Sequence, residues 1–273
     1  MNRTQELAAR AACAAFVLSA AGAFAQERSA VEEIERYRQS LADGNPAELW
    51  EARGEDLWKQ KRGPKGASLE RCDIGLGPGV VKGAYTVLPK YFPDTDKVQD
   101  LESRLVTCMV SLQGFTVEQA TKQHFGAGND KKSDMEAIVA YITGSSRGMK
   151  MNVAATHPKE REAYEIGKRM FFHRGGPYDF ACASCHGEEG KRIRLQDLPN
   201  LLNPKDAQRA YGAWPGYRVS QGEVRTMQHR LFDCYRQQRF PEPVYASDAV
   251  SALTLFLAKN ANGGVFNAPA LKR

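Results

Sequence analysis

Phe180-Ala181-Cys182-Ala183-Ser184-Cys185-His186-Gly187 contains the pattern C-x-x-C-H. Two thiols three positions apart reach both vinyl groups of one haem, and the next imidazole then stands under the iron as proximal ligand. The competing readings are a zinc half-site, a thioredoxin-like redox pair and an ordinary disulfide. Zinc needs a second ligand pair, and the chain has no other C-x-x-C. A redox pair follows a strand, whereas 160–172 reads as a helix. The motif therefore predicts one covalent haem c on Cys182 and Cys185, with His186 at the iron.

Working outward, the helix at 160–172 carries Tyr164, Ile166, Gly167, Met170 and Phe171. A closing segment, 248–260, carries Val250, Leu253, Leu255, Phe256 and Leu257, with Ser247 as its N-cap. Small helical haem domains are built around two such helices. The chain has 273 residues, enough for one large domain or two small ones. Hydrophobic residues make up 42% and charged residues 26%. This balance excludes a disordered tail, a collagen-like fibre and a polytopic membrane protein. The net charge of +6 comes from interspersed residues with no basic arm. That argues against nucleic acid and favours an acidic partner or an anionic substrate.

The first 25 residues read as a signal peptide. Arg3 and Arg10 precede a small, apolar stretch ending in Ala23-Phe24-Ala25, so Gln26 is the expected mature N-terminus. No later apolar run approaches the ~20 residues of a membrane span. The expectation is an exported, periplasmic protein.

Cys13 lies in the removed segment, leaving Cys72, Cys108, Cys182, Cys185 and Cys234. An odd number in an oxidising compartment means that something besides disulfides uses a thiol. An internal repeat sorts them. Arg104-Leu105-Val106-Thr107-Cys108 matches Arg230-Leu231-Phe232-Asp233-Cys234, and each is followed by a helix opening in Ser-Asp, at Ser133 and at Ser247. The fold expected is mainly α, with two tandem cytochrome c-like domains at 26–150 and 151–273, joined by a linker at 144–159. If Cys72 corresponds to Cys182, then Gly75 and Leu76 replace Cys185 and His186. The first domain then binds no haem, and Cys72 and Cys108 are left to form a disulfide. Closing a loop of about 36 residues is worth roughly 3–4 kcal/mol in the chain-entropy model.

Cys234 remains unpaired. A helix is predicted over 220–238, opened by Ser220 and Glu223, with Val224, Met227, Leu231 and Cys234 on one stripe. Arg230 lies four residues before Cys234, on the same face. Cys234, Met227 and His229 are the candidates for the second axial position; His229 lies about 140° around the helix from Cys234 and points outward. A free exported thiol oxidises unless something protects or uses it. The basic residues Lys191, Arg192 and Arg194 read as a solvated loop.

These residues together resemble the SoxA family, the c-type cytochrome subunits of the thiosulfate-oxidising Sox system. The resemblance rests on Cys72 to Cys108 with Leu88-Pro89-Lys90-Tyr91-Phe92, on 180–187, and on Arg230 to Tyr235. It implies His186 and Cys234 as axial ligands, with the cysteine often a persulfide. It implies Arg230 as the substrate-binding residue and Cys234 as the catalytic thiol. Gly75 and Leu76 place the chain with single-haem members. The activity implied is an L-cysteine S-thiosulfotransferase that couples thiosulfate to a carrier cysteine. The partners implied are a SoxX-like small cytochrome and a SoxYZ-like carrier. The competing classes are an electron carrier without thiol chemistry and a haem-based sulfide or redox sensor.

Overall fold

Two helix pairs, each crossing at a glycine, frame the molecule. The structure is a computed structural model. It describes residues 44–127, 131–193 and 196–272, with Glu33, Arg36, Tyr37 and Ser40 before them. The expected signal peptide and Arg194 lie outside the described residues. Of the segment up to Gly44, Arg36 pairs with Glu33 and Ser40 Oγ donates to Tyr37 O.

Asn45–Arg273 packs as one unit. It begins with α1 (Ala47–Lys59), the hairpin β1 (Lys90–Phe92) and β2 (Lys97–Gln99), α2 (Leu101–Cys108), α3 (Val117–Thr121) and α4 (Asp134–Gly144). Then follow α5 (Pro158–Phe172), α6 (Cys182–His186), the short hairpin β3 (Arg192–Ile193) and β4 (Gln196–Asp197), and α7 (Pro204–Tyr211). The hairpin β5 (Gly216–Arg218) and β6 (Glu223–Arg225), α8 (Met227–Gln237), α9 (Asp248–Asn260) and β7 (Ala270–Lys272) complete it. Among the described residues no helix is long and apolar enough to cross a membrane.

The helix pairs are α1 with α4 and α5 with α9. A Cβ on Gly54 would sit 1.9 Å from Ala137 O, and one on Gly167 would sit 2.0 Å from Ala252 O. Only hydrogen lets the backbones approach this closely. Ser133 and Ser247 cap α4 and α9 as the sequence suggested, accepting from Glu136 N and Val250 N.

From the cis prolines to Cys108 and Cys234 the repeat runs through whole elements at one offset. Each large hairpin follows a cis proline, Leu88-Pro89 and Trp214-Pro215. Their registers match: Lys90 opposite Gln99, and Gly216 opposite Arg225. Asp100 caps α2 by accepting from Ser103 N, and Thr226 caps α8 by accepting from His229 N. Cys72 and Cys108 form a disulfide, with Cα atoms 5.7 Å apart.

The hairpins are exchanged. Val224 of β6 packs with Ala47, Trp50, Ala137 and Ala140 of α1 and α4. In the other direction, Tyr91 N donates to Glu160 Oε1 of α5, and Lys97 pairs with Asp248 of α9. Where the halves meet, Tyr85 stacks on its counterpart Tyr211 with ring centroids 6.4 Å apart. Thr226 and Gln228 N donate to Glu102, and Gln228 Nε2 donates to Asp100. The segment 144–159 is pinned rather than loose: Met151 exchanges backbone bonds with Gly264 and Gly263, and Val153 N donates to Asn262.

Two sequence expectations are corrected here. The helix expected from 220 begins only at Met227, because Glu223–Arg225 is the return strand of a hairpin. The match of Cys72 to Cys182 is also displaced by three residues. Small bridged turns fix the register: Arg62 with Ala67, each closing on Gly63-Pro64, and Gly175 with Phe180, closing on Gly176-Pro177. With Gly63 matched to Gly176, Leu69 stands where Cys182 is, Cys72 where Cys185 is, and Asp73 where His186 is.

Candidate functional site

The C-x-x-C-H segment forms the one-turn helix α6, following the turn 175–180 at the end of α5. Ser184 Oγ accepts from Ala181 N, which fixes the start of the turn. Cys182 and Cys185 are free thiols. His186 Nδ1 hydrogen-bonds Pro199 O at 2.9 Å, which orients the ring and leaves Nε2 as the donor atom for a metal. Phe172, Tyr178 and Phe180 expose apolar rings around this segment.

Helix α8 brings Cys234 to the same place. The electrostatics link the groups: Cys234 acts on the Cys182 thiol, Cys185 on Cys234, and Arg230 on both Cys234 and His186. Burial pushes the Cys182 thiol up to about 12, with the neighbouring Cys234 adding to it. Burial also raises Cys234, while the Arg230 guanidinium opposes it. Burial lowers His186, and the Arg230 charge lowers it further. Two unpaired thiols at attachment spacing, an imidazole with a free Nε2, a third thiol and exposed rings fit a covalently held haem with a histidine and a sulfur donor.

The rival axial candidates lie elsewhere. Met227 points into the core and lines a small cavity with Tyr85, Asp100, Tyr211 and Thr254. His229 is buried, not outward as the helical wheel suggested. Its Nδ1 lies 2.6 Å from Glu136 Oε1, and its ring stacks on Phe125. Lys191 and Arg192 are exposed and paired with Glu188 and Asp197.

The two copies of R-L-x-x-C differ in what surrounds the arginine. Arg104 is buried; its Nη1 donates to both oxygens of Asp94 at 2.8 Å, and its Nε donates to Asp73 O. Its guanidinium also lies 4.1 Å from the centre of the Phe92 ring. Ser220 stands where Asp94 would be, and Arg218 where Phe92 would be. Among the described residues no group accepts a hydrogen bond or ion pair from the Arg230 guanidinium, which lies 5.9 Å from the Trp214 ring. Sequence reasoning missed Arg218 and Trp214, because their relation to Arg230 depends on the hairpin.

The family model described as "SoxA/TsdA, cytochrome c domain" matches residues 53–151, the half without the C-x-x-C-H motif. The L-cysteine S-thiosulfotransferase subunit SoxA of Hydrogenophilus thermoluteolus is 54% identical, over 90% of each chain. A SoxA subunit of Hydrogenobacter thermophilus is 34% identical, over 92% of each chain. The crystal structure of SoxXA from P. pantotrophus superposes with a TM-score of 0.70 at 26% identity, covering 87% of this chain and 84% of that one. Identity of this extent, on the fold of a solved SoxXA chain, means that the chain belongs to the SoxA family of cytochrome c-type proteins.

Proposed function

We propose that the protein is the SoxA-type subunit of an L-cysteine S-thiosulfotransferase. It joins thiosulfate to a cysteine of a SoxYZ-like carrier, working with a SoxX-like small cytochrome. The observation that carries this reading is Arg230: a half-buried cation beside the Cys234 thiol, without the internal counter-ion that its counterpart Arg104 has. A cation left without its own carboxylate is matched to an incoming anion. The relatives named L-cysteine S-thiosulfotransferase subunit SoxA support the same reading.

Cys182 and Cys185 would hold one haem c, with His186 and Cys234 as the residues that would ligate its iron. When bound, it supplies a one-electron acceptor for electrons released at sulfur. Arg230 positions the thiosulfate dianion and favours the Cys234 thiolate. A bond forms between Cys234 Sγ and the sulfane sulfur while two electrons leave in one-electron steps for the partner SoxX-like cytochrome, giving a cysteine S-thiosulfonate. The carrier thiolate then attacks the sulfane sulfur, and the Cys234 bond breaks to regenerate its thiolate. The net change is one carrier thiol and one thiosulfate becoming a carrier S-thiosulfonate, one proton and two electrons. The half at 26–150 is a haem-free cytochrome c-like domain, and 151–273 is the haem domain. Residues 1–25 direct export to the periplasm.

Arg230→Ala should keep the haem and a similar spectrum while lowering thiosulfate turnover about 30- to 1,000-fold, as for losing 2–4 kcal/mol of charge-assisted contact. Arg230→Lys recovers only part, since an ammonium lacks the planar fork. Unchanged turnover in Arg230→Ala would contradict the reading.

A further inference from the structure

Arg218 replaces the aromatic cover of the first half with a second cation. Phe92 and Arg218 hold the same register position in their hairpins, opposite Lys97 and Glu223. In the first half, that ring lies over Arg104 and, with Asp94, closes the guanidinium off from any ligand. In the second half a guanidinium occupies the place, half-buried, and the Arg230 charge acts on it.

Among the described residues no ion pair joins Arg218 or Arg230 to a carboxylate, although the Asp233 charge acts favourably on Arg218 and the Arg225 charge acts against it. Arg218 Nε donates to the neutral Gln221 Oε1 at 3.2 Å. The nearby carboxylates are engaged elsewhere: Asp233 pairs with Arg225 at 2.6 Å and with Arg236 at 3.3 Å, and Glu223 pairs with Arg225. Lys272 is the parallel-strand partner of Arg218, and its Nζ lies 5.9 Å from the Trp214 ring, the ring that also faces Arg230. Gly216 admits the lysine stem, because a Cβ there would fall 2.6 Å from Lys272 Cγ. Two like charges held together without a carboxylate repel. A dianion placed between them removes that repulsion.

We propose that Arg218 is a second anion-binding residue that clamps, with Arg230, the sulfonate oxygens of the substrate. The ligand class is a tetrahedral, doubly charged sulfur oxyanion. Held by its oxygens at Arg218 and Arg230, thiosulfate presents its sulfane sulfur to Cys234. Arg218 thereby sets affinity for the dianion without touching the reacting sulfur. This rests on the thiosulfotransferase reading above.

The test is steady-state turnover of the full protein with its partner cytochrome and carrier, with sulfate as a dead-end competitor. Arg218→Gln should raise KM for thiosulfate about 10- to 100-fold, with kcat within about threefold and the carrier KM unchanged. The inhibition constant for sulfate should rise in parallel, and the visible spectrum should stay the same. Arg218→Phe, which installs the residue the fold accepts at 92, should behave likewise, and Arg218→Lys should recover part of the affinity. Unchanged thiosulfate KM in both Arg218→Gln and Arg218→Phe overturns the clamp. So does a rise in carrier KM alone, which would make Arg218 a docking residue. If those variants are silent while Arg230→Ala is impaired, the clamp fails and the thiosulfotransferase reading stands. If wild-type protein shows no thiosulfate-dependent turnover, the parent reading fails.

Discussion

Arg104 and Arg230 occupy equivalent positions in two copies of one local architecture, but only Arg104 is neutralised, through both oxygens of Asp94. The copies share the hairpin, the capped helix and the cysteine four residues on. The first copy ties its cysteine into a disulfide and its arginine into an ion pair. In the second, Cys234 is a free cysteine and, among the described residues, Arg230 has no ion pair.

Restoring the missing counter-ion tests this contrast. Ser220 is exposed and stands where Asp94 does. Ser220→Asp should offer Arg230 an internal partner and compete with the substrate. The expected result is a rise of about tenfold or more in KM for thiosulfate, equivalent to roughly 1.4 kcal/mol or more, with the haem spectrum unchanged. An electron carrier without an anion site would transfer electrons as before.

Haem content follows from the corrected register. Leu69 offers no thiol and Asp73 no imidazole, while Cys72 is already bonded to Cys108. Pyridine haemochrome analysis against protein concentration should give one haem per chain, and Cys182→Ala/Cys185→Ala protein should give none. Two haems per chain would contradict the assignment.

Much of this was legible in the sequence. The C-x-x-C-H motif and α5 and α9 with its Ser247 cap could be read from local pattern, and the Cys72–Cys108 pair from the internal repeat. The register of the repeat was not, because cysteine identity drew Cys72 onto Cys182. The Gly63-Pro64 and Gly176-Pro177 turns are the better anchor, since their backbone shape is shared by both halves. The start of α8 was misread because Ser220 and Glu223 imitate a capping box within a hairpin. The burial of His229 and the exchange of hairpins depend on contacts between distant segments, and helical periodicity carries no trace of them.

The Glu136–His229 pair gives a pH prediction. Burial raises Glu136 well above its ordinary 4.5 and pushes His229 down to about 4, so burial favours the neutral form of each. Glu136 Oε1 lies 2.6 Å from His229 Nδ1, while Oε2 accepts from Gly126 N at 2.9 Å. A raised folded-state carboxyl value gives stability that is full below the unfolded value and is lost as pH rises through the folded one. Glu136→Gln keeps both hydrogen bonds and cannot ionise. Its Tm relative to wild type should therefore climb as pH is raised above the ordinary carboxyl value of 4.5. Glu136→Ala, which strands two buried groups, should cost about 1–3 kcal/mol for each. A flat difference between Glu136→Gln and wild type would count against a raised Glu136 carboxyl.

The most direct test of the whole account is thiosulfate-dependent turnover of the Cys234→Ala protein, assayed with the SoxX-like cytochrome and the SoxYZ-like carrier. Haem should remain attached, since Cys182 and Cys185 are intact, and formation of the carrier S-thiosulfonate, followed by mass, should fall to background. Full turnover in Cys234→Ala would contradict thiol catalysis and leave the protein as an electron conduit.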